Sequence, residues 1–227
     1  ATALASPLDA LPPLVDSHCH LVFRNFEADL DQVRERWQAA GVRALVHACV
    51  EPAEIPAIRA LADRLPELRY SVGVHPLDTQ HWQPDTAAVL ERAARDDGRV
   101  VAIGETGLDY YRLGERTVGQ MQWQRERFGV HIEAARRCAL PLVIHTRSAS
   151  EDTLAILREE GEGKVRGVFH CFTGTREVAR TALDLGFHVS LAGIVSFPRA
   201  LDMLTGKLPL TPATSRSASS PANAIAT

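Results

Sequence analysis

With 227 residues, 45% of them hydrophobic and 23% charged, the chain has the apolar material for one large α/β domain and is too rich in core residues to be globally disordered. A net charge of −3 argues against a basic protein that wraps nucleic acid non-specifically, although a local Arg-lined cleft remains open; that only Lys164 and Lys207 among the 25 basic residues are lysines reads as GC-rich coding rather than function. No apolar run approaches the ~20 residues of a membrane span, and the four cysteines form no C-x-x-C pair, so they read as reduced thiols of a cytoplasmic protein.

In chain order, residues 1–13 lack the basic and long apolar regions of a signal peptide and are expected to be a flexible lead-in. The short apolar run Leu14-Val15 then meets Asp16-Ser17-His18-Cys19-His20. Alternation along a strand puts Asp16, His18 and His20 on one face, where two imidazoles and a carboxylate suit a metal ion. The bland alternative is a polar strand end facing solvent. Leu30, Val33, Trp37 and Ala40 mark an amphipathic helix stopped by Gly41. Val42 to Val50 reads as a buried strand, Ile55 to Leu65 as a helix, and Leu68 to Val74 as a third strand running into His75-Pro76. A helix over 85–97 follows, with Asp85 as its N-cap and Gly98 as its stop. Val100 to Ile103 is a fourth strand, leading into Gly104-Glu105-Thr106-Gly107-Leu108-Asp109. Met121, Phe128, Ile132 and Ala135 share one face of a longer helix. Pro141 to Ile144, Val165 to Phe169 and Phe187 to Leu191 complete the strands, with helices marked by Leu154 and Leu157, and by Val178, Ala182 and Leu185.

Strand and helix thus alternate through seven units, most strands being apolar along their whole length. This is the pattern of a parallel sheet covered on both faces, and the number of units favours a (β/α) barrel over an open sheet. No G-x-G-x-x-G follows the first strand, which argues against dinucleotide binding.

Polar residues collect at one place in each unit: His18 and His20, His75, Glu105, His145 and His170 all fall at strand ends. In a parallel barrel these ends share one rim. Four of these five imidazoles, His18, His20, His145 and His170, with the carboxylate already exceed the needs of one tetrahedral ion and suit one or two divalent ions, with Glu105 bridging and catalytic. The implied chemistry is hydrolysis, most naturally of a phosphate ester. Arg147 offers a bidentate grip on phosphate, and Tyr110, Tyr111 and Arg112 offer stacking and charge to a nucleotide, with plain loop packing as the alternative. Asp109, placed in the loop after strand four, orients a ligand or caps the next turn; it is grouped with His75 and Arg147 as a candidate substrate contact. Cys19 and Cys171 are expected to point into the core. His47, His81, His131 and His188 are off the pattern and read as structural or solvated.

Val15-Asp16-Ser17-His18-Cys19-His20-Leu21, Gly73-Val74-His75-Pro76, Ile103 through Tyr111, Ile144-His145-Thr146-Arg147 and Phe169-His170-Cys171-Phe172-Thr173-Gly174 together resemble the TatD-type metal-dependent deoxyribonucleases, over roughly residues 14 to 198. The resemblance implies a TIM barrel and divalent-metal-dependent hydrolysis of DNA. It implies exonuclease action from a 3′ end, supported by Mg2+ with Zn2+ or Mn2+ as alternatives. His18, His20, Glu105, His145 and His170 are then ligands, and His75 and Arg147 lie near the substrate phosphates. Single-stranded DNA or a 3′ end is the implied partner, with no membrane and no obligate protein partner.

The sequence departs from that family at its C-terminus. The family closes its barrel with an eighth strand bringing an Asp ligand, then a last helix. Here Ala200 to Leu208 begins a helix containing Asp202, and the pattern dissolves after Leu210 into a Ser/Ala/Thr/Pro tract. The barrel is therefore expected to span 14–210, to lack a normal eighth strand and final helix through truncation or a frame shift, and to carry a disordered tail over 211–227. Two further readings stay open: a related barrel hydrolase of a small amide, lactone or phosphoester, and an inactive metal-binding homologue.

Overall fold

The computed structural model describes residues 12–111 and 113–196. Seven strands lie parallel in sequential order: β1 (Leu14–Cys19), β2 (Val42–His47), β3 (Leu68–Val72), β4 (Val100–Asp109), β5 (Leu142–Arg147), β6 (Gly167–Phe169) and β7 (His188–Val189). Between them run α1 (Leu30–Ala39), α2 (Ile55–Arg64), α3 (Thr86–Asp96), α4 (Gln122–Cys138), α5 (Ser150–Gly161) and α6 (Arg176–Asp184). The sheet is the α/β barrel-type sheet that the alternation predicts, and it curls. His18, at the end of β1, stacks on His170, just past β6, with ring centroids 4.0 Å apart. Five strand spacings in a flat sheet would hold them about 24 Å apart. Most of the expected lead-in over 1–13, Arg112, and the segments on which the expected helix from Ala200 with Asp202, the expected lack of an eighth strand and the expected disordered tail over 211–227 fall lie outside the described residues.

Apolar side chains from strands and helices fill one core, with Tyr70, Phe128, Phe169, Phe172, Ile58 and Leu68 essentially inaccessible. No helix of the described residues is long and apolar enough to cross a membrane. The most consequential difference from the sequence pattern is β4, which continues six residues past Ile103. Its pairing with β5 slips between Ile103 and Thr106, then resumes as Thr106↔Ile144, Gly107↔His145 and Asp109↔Arg147. A bulge absorbs the polar and glycine-rich segment beyond Ile103, where the sequence pattern ends the strand. Asp109 is therefore the last residue of a strand rather than part of a loop. β2 stops at His47, short of Val50, and β7 keeps only His188 and Val189. Asp85 makes no capping hydrogen bond; Thr86 Oγ1 instead accepts the Gln83 N–H at 2.9 Å. Helix α3 leaves through Asp97 in an extended conformation, one residue before Gly98.

Two of the four off-pattern histidines are buried braces. His131 on α4 is inaccessible; its Nε2 accepts the Val74 N–H at 3.0 Å and its Nδ1 lies 2.7 Å from the Arg127 carbonyl oxygen. That pairing fixes the neutral tautomer with the proton on Nδ1. His81 and His188 are exposed.

Burial pushes the His131 imidazole down to about 4, the Arg127 carbonyl opposing weakly. The unfolded chain, with an ordinary value near 6.5, takes up a proton first as the pH falls. Stability from this residue is whole above about pH 6.5 and falls toward pH 4 by about 3 kcal/mol. Urea unfolding at pH 7 and pH 4.5 should show a smaller acid loss in His131→Phe than in the unsubstituted chain. Equal losses would refute the assignment.

Candidate metal centre

Among the described residues, two groups of potential ligand atoms share one carboxylate: His18, Glu105 and His170, and His75, Glu105 and His145. Within each group these atoms lie no more than 4.8 Å from one another. Glu105 is buried, at 3% exposure. Its Oε2 faces His18 Nε2 at 3.3 Å and His20 Nε2 at 3.6 Å. Its Oε1 faces His170 Nε2 at 2.7 Å, His145 Nδ1 at 3.2 Å and His75 Nε2 at 3.6 Å. The sequence-predicted residues His18, His20, Glu105, His145 and His170 are thus brought together from β1, β4, β5 and the segment after β6.

Two bulges do the aiming. On β1, Asp16 pairs with Leu45 and Cys19 with His47, three steps against two. On β4 the slip falls at Gly104-Glu105. A Cβ at Gly104, which sits at φ +143°, would lie 2.5 Å from the Val143 carbonyl oxygen, so only glycine lets the chain pass there. Each bulge lies beside a candidate ligand and turns its side chain toward the common centre.

Simple alternation fails for Asp16, which joins neither group. Its Oδ1 accepts the His18 backbone N–H at 3.1 Å, and burial raises its carboxyl to about 6. Cys19 packs against the core as expected, whereas Cys171 is absent from the packed cluster and stands at φ +45°.

His145 is held from both sides. Asp109 Oδ2 lies 3.0 Å from its Nε2, opposite Glu105. Burial lowers the pKa of His145, but hydrogen bonds to Asp109 and Glu105 outweigh it and lift the value to about 9. Burial takes His20 and His75 down to about 4 and keeps His18 and His170 low. Glu105 resists its own burial because the surrounding imidazoles, His170 and His18 first, hold it well below the usual carboxylate range. Two buried carboxylates therefore require positive charge among neutral imidazoles.

A divalent cation fits that requirement. The Nε2 atoms of His18 and His20 approach to 3.0 Å, and buried His170 Nε2 lies close to Glu105 without a hydrogen-bonding direction. Donor atoms that converge on a shared point rather than on one another are arranged as ligands are.

Of the expected substrate contacts, His75 lies inside the cluster, where its Nε2 is 3.3 Å from His145 Nδ1. Asp109 is 2% exposed and faces His145. Arg147 ends β5, is exposed, and lays its guanidinium 3.7 Å over the Tyr111 ring. Tyr110 is buried and its hydroxyl donates to Asp152 at 2.8 Å, so it offers no open face. His47, read from the sequence as structural or solvated, is the structural case: it is buried, its Nε2 accepts the Val22 N–H at 3.2 Å, and its ring stands edge-on to His20 at 6.0 Å.

Residues 15–211 match the family model described as TatD related DNase. The chain is 42% identical over 190 residues to the uncharacterized metal-dependent hydrolase YcfH of Escherichia coli (strain K12), covering 82% of this chain and 69% of that protein. It is 34% identical over 201 residues to the 3′-5′ ssDNA/RNA exonuclease TatD of Erwinia billingiae, covering 88% and 75%. The solved structure of YjjV, a TatD homologue from Escherichia coli K12, superposes with a TM-score of 0.79 at 26% identity, covering 89% of this chain and 76% of that one.

A divalent cation present at about 100 times its Kd should stabilise the folded chain by about 2.7 kcal/mol, raising the melting temperature by about 5–10 °C. EDTA should reverse the rise, and Glu105→Gln should nearly abolish it. Comparing Mg2+, Mn2+ and Zn2+ in the same melting assay ranks the ions. A Glu105→Gln variant that keeps the full shift would refute a centre built on this carboxylate.

Proposed function

The chain belongs to the TatD-related DNase family of metal-dependent hydrolases, and from that premise we propose that it hydrolyses DNA phosphodiester bonds, removing nucleotides from a 3′ end. The observation that carries this reading is the single buried carboxylate of Glu105 between two groups of imidazoles. In the proposal His18, His20, His170 and Glu105 would hold one divalent ion, and His75, His145 and Glu105 would help to hold a second. Mg2+ is the proposed ion. Such ions supply Lewis acidity, lowering the pKa of a water and polarising the phosphoryl oxygen. A name carried by one relative, 3′-5′ ssDNA/RNA exonuclease, supports a nucleic-acid substrate.

The side chains then have distinct tasks. Glu105 keeps both groups of donors in register. Asp109 orients the His145 ring through Nε2 and so presents Nδ1 to the centre. Arg147, exposed at the end of β5, takes the phosphate with two parallel N–H donors. Water adds to phosphorus as the P–O3′ bond to the remaining strand breaks, so the terminal nucleotide leaves with the phosphate and a proton from the water ends on the strand's new 3′-hydroxyl. A cytoplasmic setting is part of the proposal and agrees with four unpaired cysteines.

Incubation with single-stranded oligodeoxynucleotide and Mg2+ should release mononucleotides, and EDTA should stop it. Glu105→Ala should lower kcat/KM by about 10³-fold, the equivalent of several kcal/mol of lost transition-state stabilisation. Asp109→Asn should cost about 10–100-fold. If Glu105→Ala digests DNA as fast as the unsubstituted chain, the assigned site is wrong.

A further inference from the structure

Among the described residues, the exposed large hydrophobic side chains are Val15, Phe23, Tyr111 and Val118. Single exposed apolar residues are ordinary on a protein surface. The two aromatic ones here are set apart by where they stand and by what covers them. Phe23 follows β1 at 38% exposure, and its ring lies 4.9 Å from that of His20 with only 9° between the planes. Tyr111 follows β4 at 61% exposure, and one face of its ring is covered by the Arg147 guanidinium at 3.7 Å. Each ring is thus held flat by one polar partner and remains substantially open to solvent.

Both rings are tied to the metal centre, at its two ends. Phe23 rests on His20, which faces Glu105 Oε2. Tyr111 donates its backbone N–H to Asp109 Oδ1 at 2.9 Å, and the other oxygen of Asp109 meets His145, which faces Glu105 Oε1. The Tyr110 N–H also bonds to the Arg147 carbonyl at 2.9 Å, locking the two residues of the stacked pair onto neighbouring chain segments. Among the other described aromatic rings, Tyr70, Phe128, Phe169 and Phe172 are buried, and Phe26, Trp37, Trp82 and Trp123 are half-buried. Leaving two rings outside the core forgoes burial that an aromatic side chain would otherwise gain.

Flat aromatic surfaces beside a phosphate-processing centre suit one ligand chemistry above others, the planar base of an unpaired nucleotide. A duplex hides its base faces inside the stack, whereas a single strand exposes them. Arg147 can serve two ends at once, because a guanidinium stacks through its face and donates hydrogen bonds from its edge. We propose that Phe23 and the Tyr111–Arg147 pair are two stacking shelves that take the unpaired bases on either side of the scissile phosphate. This rests on the reading that the chain cleaves nucleic acid, and assigns to these residues its selection of unpaired nucleotides.

Two measurements separate that proposal from the reading beneath it. The first is steady-state cleavage of a single-stranded oligodeoxynucleotide and of its counterpart with abasic residues flanking the terminal phosphodiester. Phe23→Ala and Tyr111→Ala should each raise KM for the normal strand about tenfold with little change in kcat, and should shrink the preference for normal over abasic substrate. Phe23→Tyr and Tyr111→Phe, which keep a flat ring, should restore both. Unchanged KM, or an unchanged preference, overturns the shelves while leaving the hydrolase reading intact. The second measurement is binding in EDTA of a strand carrying 2-aminopurine at its terminal and penultimate positions. Stacking should quench its fluorescence in the unsubstituted chain, and the alanine variants should lose that quenching. Quenching without any cleavage keeps the shelves and overturns the nuclease reading. Equal fluorescence in all variants, or no binding, overturns the shelves.

Discussion

A carboxylate buried at 3% exposure and surrounded by five imidazoles sets the terms for the rest of this structure. Removing an ion from water costs several kcal/mol unless partners replace its hydration. Glu105 has replacements on both oxygens, and they arrive from strands that are distant in sequence. The partners converge only if the parallel sheet curls enough to bring β1 beside the segment after β6. Fold and site are therefore one problem: the sheet positions the imidazoles, and their positive charge or a cation among them makes the buried Glu105 tolerable. Burial lowers the pKa of His20 and His75, whereas at His145 burial is outweighed by its carboxylate partners, which raise the value.

Electrostatics also makes a net charge of −3 compatible with the polyanionic substrate proposed above. Wrapping DNA needs a basic surface, because affinity follows the number of phosphates neutralised. Acting on a strand end needs few contacts. A buried site whose carboxylates call for divalent cations supplies local positive charge without a basic domain, and Arg147 adds one guanidinium at its rim.

Much of this was legible in the sequence. Seven apolar runs alternating with amphipathic helices gave the architecture, since a strand covered on both faces cannot afford polar residues along its length. Histidines at strand ends gave five of the residues that meet at Glu105, because parallel strands bring their ends to one rim. Register was not legible. Alternation put Asp16 with His18 and His20, but a bulge intervenes and Asp16 turns to cap the His18 N–H instead. The sequence pattern ended strand four at Ile103 and left Asp109 in a loop, although a bulge lets residues 104–109 stay in the strand. The paired role of His75 and the bracing role of His47 depend on neighbours 70 and 25 residues away, which no local pattern encodes.

The segment Glu105-Thr106-Gly107-Leu108-Asp109 shows what the extended β4 accomplishes. Residues two apart on a strand share a face, so Glu105, Gly107 and Asp109 form a row of carboxylate, gap and carboxylate. Gly107 pairs in register with His145, and any Cβ at 107 would collide with the His145 backbone. The glycine admits the neighbouring strand closely enough for one imidazole to lie between both carboxylates, Nδ1 toward Glu105 and Nε2 toward Asp109. Had β4 ended at Ile103, Asp109 would have been a loop residue free to wander. In the strand it is fixed by pairing with Arg147, and its second oxygen is committed to the Tyr111 N–H. A single buried carboxylate thereby links the orientation of His145 to the placement of the exposed ring beyond it. The inner shell of the centre and its rim are set by the same five-residue row.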